Sequence, residues 1–312
     1  MIRTVFMGTP EFSVNVLEGL LKEKNYEVVA VVSQPDKKVG RKQILTPSPI
    51  SKLALDNNLP LLRLEKVKNE YNKILEYKPD IIITCAYGQI IPSELLDYPK
   101  YGCINVHASL LPKLRGGAPI HKAIIEGHEK TGITIMYMDK EMDSGDIISQ
   151  QETIIEDEDN LESLQKKLSI IGRDLLLKTL PNIINNNITR IKQNKEEVTY
   201  AYNIKREEEK IDFAKSAREI FNQVRGLSPS PAAYFKLDEK IIKVYEGKIG
   251  PDITSNKKIG EIVNVYKDGI GIKTKDKEYI ITKIKPEGKK EIFVKDYLNG
   301  KKKEDLLGKI CE

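Results

Sequence analysis

The sequence predicts an α/β fold: a Rossmann-like N-terminal domain with a mostly parallel sheet, followed by a smaller C-terminal OB-like β-barrel domain. Apolar, β-branched runs in the first 180 residues are nearly continuous, as in strands covered on both faces, and they alternate with helical patterns. After residue 230, short strand-like runs recur at close spacing with Gly and Asp at the turns, a pattern typical of a small barrel. A length of 312 residues is sufficient for two such domains.

Strands and helices alternate along the N-terminal part. The predicted strands are residues 4–7, 28–32, 81–84 and 133–137, and the predicted helices are residues 11–24, 51–57 and 160–180. The longest helix carries leucines at helical spacing, and Asn160 is its expected N-cap. Pro181 is expected to end this helix, because proline removes a hydrogen bond and clashes with the preceding turn.

The C-terminal part begins after a polar stretch rich in Asn, Lys and Glu. This composition predicts a catalytic-type α/β domain over residues 1–189, a linker over 190–209 and a β-barrel domain over 210–312. A short amphipathic helix is expected at 214–225. The strands expected after it are residues 233–237, 241–246, 260–265, 269–273 and 279–285.

Charge is distributed unevenly between the two parts. The net charge is +5, but residues 190–312 contain 28 basic and 21 acidic side chains and so carry +7. Either this region binds an anionic partner or its lysines form an ordinary solvated surface.

Composition also excludes several classes of protein. No apolar run approaches the ~20 residues of a membrane-spanning helix, and the first residues form a strand rather than a targeting leader, so the expected location is the cytoplasm. The three cysteines show no paired spacing, which argues against a disulfide framework or a zinc site. Cys103 is expected to be a buried strand cysteine rather than a nucleophile.

The candidate catalytic residues are Asn105, His107 and Asp143. Asn105 and His107 are two positions apart on an extended segment, so their side chains point the same way. An amide N–H and an imidazole suit a reaction whose intermediate develops a negative oxygen, as in acyl transfer. Asp143 alone would be a solvated turn residue, but beside this pair it is a proton acceptor or imidazole partner. Asp146 nearby could bind a metal, but no second ligand has a recognisable spacing, and no metal is expected.

Two segments beside these residues are candidate walls of a flat pocket. One is the turn formed by Ser109, Leu110, Leu111 and Pro112, and the other is residues 86–92, which include Tyr87 and Gly88. Both could instead be simple turns. The segment after the first strand is not a G-x-G-x-x-G fingerprint, so a dinucleotide site has little support.

A basic excursion lies between the second strand and the next helix. Residues 34–49 contain Lys37, Lys38, Arg41 and Lys42, with Gly40 as a hinge. The segment could be a mobile surface loop or a contact for a phosphate-bearing partner.

Together these residues resemble the formyltransferases that use 10-formyltetrahydrofolate. The resemblance rests on Asn-x-His-x-Ser-Leu-Leu-Pro at 105–112, followed by Gly116 and the distant Asp143, and it extends to segments 7–13, 34–41 and 225–232. It implies formyl transfer from 10-formyltetrahydrofolate to the α-amino group of methionine on initiator tRNA, in a monomer without a metal. It further implies that Ser109 to Pro112, Tyr87 and Gly88 bind the folate. The implied tRNA contacts are Arg41, foremost, with Lys37, Lys38 and Lys42.

Other interpretations remain open at this point. A formyltransferase could act on a small amine such as an amino sugar or glycinamide ribonucleotide, although neither kind should need a basic C-terminal barrel. A folate- or RNA-binding protein without turnover would have no use for Asn105, His107 and Asp143 together. A nicotinamide dehydrogenase lacks its glycine fingerprint here.

Overall fold

The computed structural model describes residues 1–40, 42–253 and 256–312, which form two compact units. The N-terminal unit contains Met1–Pro119, Lys130–Ile154 and Gln165–Tyr202. The C-terminal unit contains Ile120–Glu129, Ile155–Leu164 and Asn203–Glu312. Each unit is therefore assembled from several stretches of chain. Within the described ranges, none of the helices combines the length and hydropathy of a membrane span.

The N-terminal unit is built on a seven-stranded sheet of order β5-β2-β1-β6-β7-β8-β9. The pairs from β5 to β7 are parallel, and β7–β8 and β8–β9 are antiparallel. The mostly parallel sheet is thus confirmed. Its strands, with those of a separate two-stranded ribbon, are β1 (Ile2–Gly8), β2 (Tyr26–Ser33), β3 (Lys37–Val39), β4 (Ile44–Thr46), β5 (Leu61–Arg63), β6 (Ile81–Cys85), β7 (Cys103–His107), β8 (Lys130–Tyr137) and β9 (Ile147–Ile154).

The continuous apolar runs form the central strands because both faces of this part of the sheet are covered. Every residue of β6 is buried, and so are the last five residues of β1. Parallel strands end at the same edge of a sheet, so the residues that follow β1, β6 and β7 lie close together. This edge carries the candidate site.

Helices connect the strands. They are α1 (Val14–Lys22), α2 (Pro49–Asp56), α3 (Val67–Glu70), α4 (Asn72–Leu75), α5 (Ser93–Leu96), α6 (Pro119–Ile125) and α7 (Leu161–Ile184), with 3₁₀ turns at Glu11–Ser13 and Lys195–Glu197. Asn160 caps α7 as expected: its side chain accepts from the Ser163 backbone N–H at 2.9 Å. The Ser163 hydroxyl accepts in return from the Asn160 N–H at 3.0 Å, in the place where a capping box usually has an acid.

The prediction that Pro181 ends this helix is wrong. Helix α7 continues to Ile184 with Pro181 inside it, and the Pro181 carbonyl accepts from the Asn185 N–H at 3.0 Å. Leu180 and Ile183 on either side of the proline are buried. Burial of two such side chains contributes about 1.5–3 kcal/mol each, which offsets the roughly 3 kcal/mol cost of an internal proline.

The C-terminal unit is an antiparallel sheet of order β10-β11-β14-β13-β12, with β15 paired to β14. Phe213 and Phe235 pack edge to face in its core, with ring centroids 5.8 Å apart. The elements of this unit are α8 (Arg206–Glu209), α9 (Ala217–Leu227), β10 (Ala233–Leu237), β11 (Lys240–Asp252), β12 (Ile262–Val265), β13 (Ile270–Lys273), β14 (Lys277–Pro286), β15 (Ile292–Phe293), α10 (Val294–Tyr297) and a 3₁₀ turn at Lys303–Asp305.

Residues 309–312 connect the two edges of this sheet. On one side, the Ile262 N–H of β12 donates to the Lys309 carbonyl at 2.8 Å. On the other side, Lys236 of β10 and Glu312 exchange two backbone hydrogen bonds of 2.6 and 2.9 Å. The exposed edges of the sheet are thereby covered, so the antiparallel strands close on themselves through this segment.

Candidate active site

Asn105 and His107 project from β7, in the interior of the N-terminal sheet. This strand is paired on one side with β6 and on the other with β8. The two residues are separated by one position, so both side chains lie on the same face. Their backbone is held by strand pairing on both sides, which fixes the spacing of an amide and an imidazole.

Asp143 reaches the same place from the loop between β8 and β9. Its Oδ1 lies 3.7 Å from His107 Nδ1 and accepts from Asn105 Nδ2 at 3.5 Å. Its Oδ2 accepts from the Gly116 backbone N–H at 2.8 Å. The structure therefore brings together the three residues that the sequence singled out as a set.

The Asn105 amide is oriented by Thr84 of the neighbouring strand. The Thr84 hydroxyl donates to Asn105 Oδ1 at 2.9 Å. With its oxygen engaged in this way, the amide turns its N–H₂ group toward Asp143. The arrangement presents a hydrogen-bond donor on the side where the imidazole and the carboxylate meet.

The contacts of His107 determine which ring nitrogen carries the proton. Nε2 lies 3.1 Å from the Leu114 carbonyl, which can only accept, so the Nε2 of His107 is the protonated nitrogen. Nδ1 faces the Asp143 carboxylate, and the side chains of His107 and Asp143 are only 6% and 16% exposed.

Sequence reasoning missed the residues that hold these groups. Thr84, the Leu114 carbonyl and Gln193 belong to this set. Gln193 donates to the Asp143 and Gly145 carbonyls, at 2.8 Å each. Thr84 could have been found, because it stands at the end of a predicted strand next to β7. Gln193 lies in a polar stretch whose composition gave no signal.

Two of the four side chains in the turn at 109–112 are partly exposed, and the other two are buried. Ser109 and Leu111 are buried: the Ser109 hydroxyl donates to the Lys113 carbonyl at 2.6 Å, and Leu111 packs with Met136 and Ile147. Leu110 and Pro112 are partly exposed. Of the four predicted wall residues, these two have side-chain surface that a ligand can contact.

The second predicted wall, residues 86–92, also combines buried and exposed residues. Tyr87 is 3% exposed and packs into the core; burial raises the pKa of its hydroxyl to about 12. Gly88 has φ +82°, and a Cβ there would lie 2.7 Å from Gln34 Nε2. A cleft of about 480 Å³ borders this segment, and its lining includes Ile90, Pro92 and Lys140.

The basic excursion folds as a short hairpin of β3 and β4. Lys37 and Lys38 are exposed on β3, paired with residues of β4, and Lys42 is exposed in the connecting turn. Val39, Ile44 and Leu45 of the hairpin are also exposed, by 56%, 61% and 63%. Arg41, the residue singled out for this segment, lies outside the described residues.

The cysteines are buried, which confirms Cys103 as a buried strand residue, and burial raises the pKa of its thiol to about 12. Asp146 pairs with Lys192 at 3.3 Å. The described part of the chain contains no group of three or more His, Cys, Asp or Glu side chains that could hold a metal ion.

The α/β chain is a transferase, because it belongs to the formyl transferase family. Residues 2–180 match the family model described as Formyl transferase, and residues 203–302 match the model described as Formyl transferase, C-terminal domain. A methionyl-tRNA formyltransferase of Bacillus cereus (strain B4264) is 52% identical over 307 residues, which cover 97% of each chain. The resemblance inferred from the motif is therefore confirmed.

Solved structures share the fold. An N-formyltransferase from Helicobacter canadensis, crystallised with folinic acid and dTDP-3-aminofucose, has a TM-score of 0.67 at 23% identity and covers 90% of this chain and 98% of its own. WlaRD, a sugar 3N-formyltransferase crystallised with dTDP and 5-N-formyl-THF, has a TM-score of 0.64 at 24% identity and covers 93% and 99%. At these identities the similarity shows a shared fold and nothing further.

Proposed function

We propose that this enzyme transfers the formyl group of 10-formyltetrahydrofolate to the α-amino group of methionine on initiator methionyl-tRNA, giving N-formylmethionyl-tRNA. The observation that carries the chemistry is the convergence of the Asp143 carboxylate on Asn105 and His107. The assignment of methionyl-tRNA as the substrate rests on the 52% identity to a methionyl-tRNA formyltransferase over nearly the whole chain.

The reaction needs no covalent enzyme intermediate. A free α-amino group has a pKa of about 7.7–8.0, so a useful fraction is already the nucleophile at neutral pH. Its nitrogen attacks the formyl carbon, and the carbonyl oxygen becomes negative. The N–H₂ group of Asn105 is assigned to that oxygen, together with Nδ1 of His107, which becomes an N–H donor once it has taken up the proton of the amine.

Asp143 is assigned to the transfer of the amine proton. As the new C–N bond forms, the nucleophile must lose a proton, and the nitrogen of the leaving folate must gain one. Asp143 lies beside the Nδ1 of His107, so it orients the ring and relays that proton through Nδ1 to the folate nitrogen. Atoms and charge then balance without a metal or an external base.

The folate is assigned to the edge of the sheet next to these residues. Leu110 and Pro112 offer partly exposed apolar surface after β7, and the cleft along residues 89–92 follows β6, the strand paired with β7. A ring system with a polar rim suits a mostly apolar cleft with a few polar groups. Ser109, Leu111 and Tyr87 are buried and support this wall from behind, whereas Gly88 is exposed and its backbone is available to the ligand.

The tRNA is assigned to two basic regions. The β3–β4 hairpin exposes lysines together with apolar side chains, a combination that can bind phosphates and also pack on bases. In the sequence, Arg41 lies between residues 39 and 44, which end and begin these two strands. Residues 190–312 carry +7, which suits a phosphate backbone. We accordingly assign catalysis to residues 1–189, the connection to 190–209 and tRNA binding to 210–312, in a cytoplasmic monomer.

The deciding experiment offers the purified enzyme 10-formyltetrahydrofolate with methionyl-initiator tRNA and, in parallel, with glycinamide ribonucleotide or a dTDP-amino sugar. Formylmethionine released from the tRNA, at a kcat/KM far above that for either small amine, is the expected result. Faster formylation of a small amine would replace the proposed substrate. Absence of any formyl transfer would favour a binding protein.

A further inference from the structure

One segment of the polar stretch between the two family matches contacts the catalytic loops of the N-terminal unit. We call residues 191–201 the strap. Ile191 exchanges two backbone hydrogen bonds with Ile147, of 2.8 and 2.9 Å, just beyond the Asp143 loop. Further along, Arg115 donates its N–H to the Thr199 carbonyl and accepts from the Ala201 N–H, at 2.9 and 2.7 Å. The strap therefore joins the loop that carries Asp143 to the loop that follows the His107 motif.

Gln193 uses all its hydrogen-bonding capacity in this junction. Its amide Nε2 donates to the Asp143 and Gly145 carbonyls, at 2.8 Å each. Its Oε1 accepts from Nε and Nη2 of Arg115, at 3.0 and 2.7 Å. Arg115 is only 7% exposed, and Gln193 is partly buried.

The Asp143 backbone needs this support. Asp143 has φ +50°, a left-handed conformation that costs a non-glycine residue free energy and persists only where the surroundings fix it. The side-chain contact to Gly116 N–H holds the carboxylate, and Gln193 holds the peptide groups on both sides of the turn. Without the amide donors, the two carbonyls at the turn lose the partner that defines its shape.

The strap also reaches the other nitrogen of His107. The Thr199 hydroxyl oxygen accepts from the Leu114 N–H at 2.9 Å. Leu114 has φ +60° and turns its carbonyl toward His107 Nε2, 3.1 Å away. One segment thus sets the partners of both ring nitrogens: Asp143 at Nδ1 through Gln193, and Leu114 at Nε2 through Thr199.

From these contacts we infer that Gln193 is a positioning residue for the formyl transfer, which places Asp143 against His107, and that Thr199 has the same role for Leu114. The inference rests on the proposed catalytic roles of Asp143 and His107. It makes Gln193 and Thr199, rather than the strap as a whole, supporting residues of the active site.

The variant Gln193→Glu removes the two hydrogen bonds that Gln193 Nε2 donates and keeps the length of the side chain. Glutamate has the same length and can still accept from Arg115, but a carboxylate cannot donate to the two carbonyls. We expect kcat to fall by about 10- to 100-fold, the scale that a displacement of about 1 Å produces at a catalytic group, while KM for both substrates changes by less than about twofold. Lys195→Ala, an exposed change in the same segment, should keep kcat within about twofold of the unmodified enzyme.

A readout independent of turnover separates positioning from folding and from the proposed reaction. The chain has three histidines, so the ring ¹⁵N signals of His107 can be assigned with His121 and His128 variants. Gln193→Glu should shift the Nδ1 signal of His107, and Thr199→Val should shift Nε2. These shifts are expected even if the enzyme proves to formylate another amine.

Several results would overturn the inference. These are Gln193→Glu retaining kcat within about twofold, unchanged His107 signals in a folded variant, or a loss of kcat that follows only a lowered thermal midpoint. If Gln193→Glu does not fold, Thr199→Val decides: an unchanged Nε2 signal and unchanged kcat would then refute the role of the strap.

Discussion

Asp143→Asn tests the catalytic arrangement most directly, because it removes a charge while keeping the shape of the side chain. The asparagine oxygen can still accept from the Gly116 N–H, so the loop contact survives. What is lost is the interaction of the carboxylate with an imidazolium at His107, whose Nδ1 lies 3.7 Å from Oδ1. The variant should therefore fold normally and fail in chemistry.

The size of the loss follows from Coulomb's law. At 3.7 Å and an effective dielectric constant of about 20, the interaction is worth about 4.5 kcal/mol. In bulk water it would be about 1.1 kcal/mol. The side chains of His107 and Asp143 are only 6% and 16% exposed, so the first figure applies more closely. A barrier raised by that amount lowers kcat by about 2,000-fold, and the aqueous limit gives about sixfold.

The assay measures single-turnover formylation of methionyl-initiator tRNA with enzyme in excess, so that product release does not mask the chemical step. Asp139→Asn provides the matched control, because Asp139 is an exposed acid of the same loop whose carboxylate binds the Lys140 N–H. Asp139→Asn should react at the normal rate. A rate for Asp143→Asn within about sixfold of the unmodified enzyme would refute a charged partnership with His107.

Three further predictions concern other parts of the molecule. Arg41→Ala should raise KM for methionyl-tRNA and leave the folate KM unchanged in steady-state assays; an unchanged tRNA KM would make the hairpin a simple surface element. Burial, with Lys122 nearby, lowers the pKa of His121 to about 4 from its usual value near 6.5. The neutral ring therefore stabilises the fold fully above pH ~6.5, and up to about 3 kcal/mol is lost as the pH falls from there to about 4. Urea titrations at several pH values should show a flatter profile for His121→Gln, and an unchanged slope would contradict the shift. Burial raises the pKa of each of the three cysteines to about 12, so a thiol reagent at pH 8 should label the native protein far more slowly than the unfolded chain, and rapid labelling would indicate an accessible thiolate.

The sequence predicted the sheet and the catalytic set because both leave local signals. Continuous apolar runs identify strands covered on both faces, and the Asn105–His107 spacing places two polar side chains on one face of β7. The prediction for Pro181 was wrong because it used only the local rule that proline destabilises a helix interior. Burial of Leu180 and Ile183 outweighs that cost, and this burial depends on the tertiary fold. Gln193 had no signal, since two of its partners are backbone carbonyls that any sequence could supply and the third, Arg115, is distant in the sequence.

The two halves of the candidate site are held by different means, and this predicts how substitutions will divide. Asn105 and His107 sit on a strand paired on both sides, so their backbone cannot shift without disrupting the sheet. Asp143 sits on a loop in a left-handed conformation, which costs roughly 1–3 kcal/mol and is offset by its hydrogen bonds to Gly116 and Gln193. Changes at Asn105 or His107 should therefore remove a chemical function at fixed geometry. Changes around Asp143 should move an intact carboxylate, so that a variant loses rate in proportion to how far the loop relaxes. The strap makes the second outcome possible at positions that never touch a substrate.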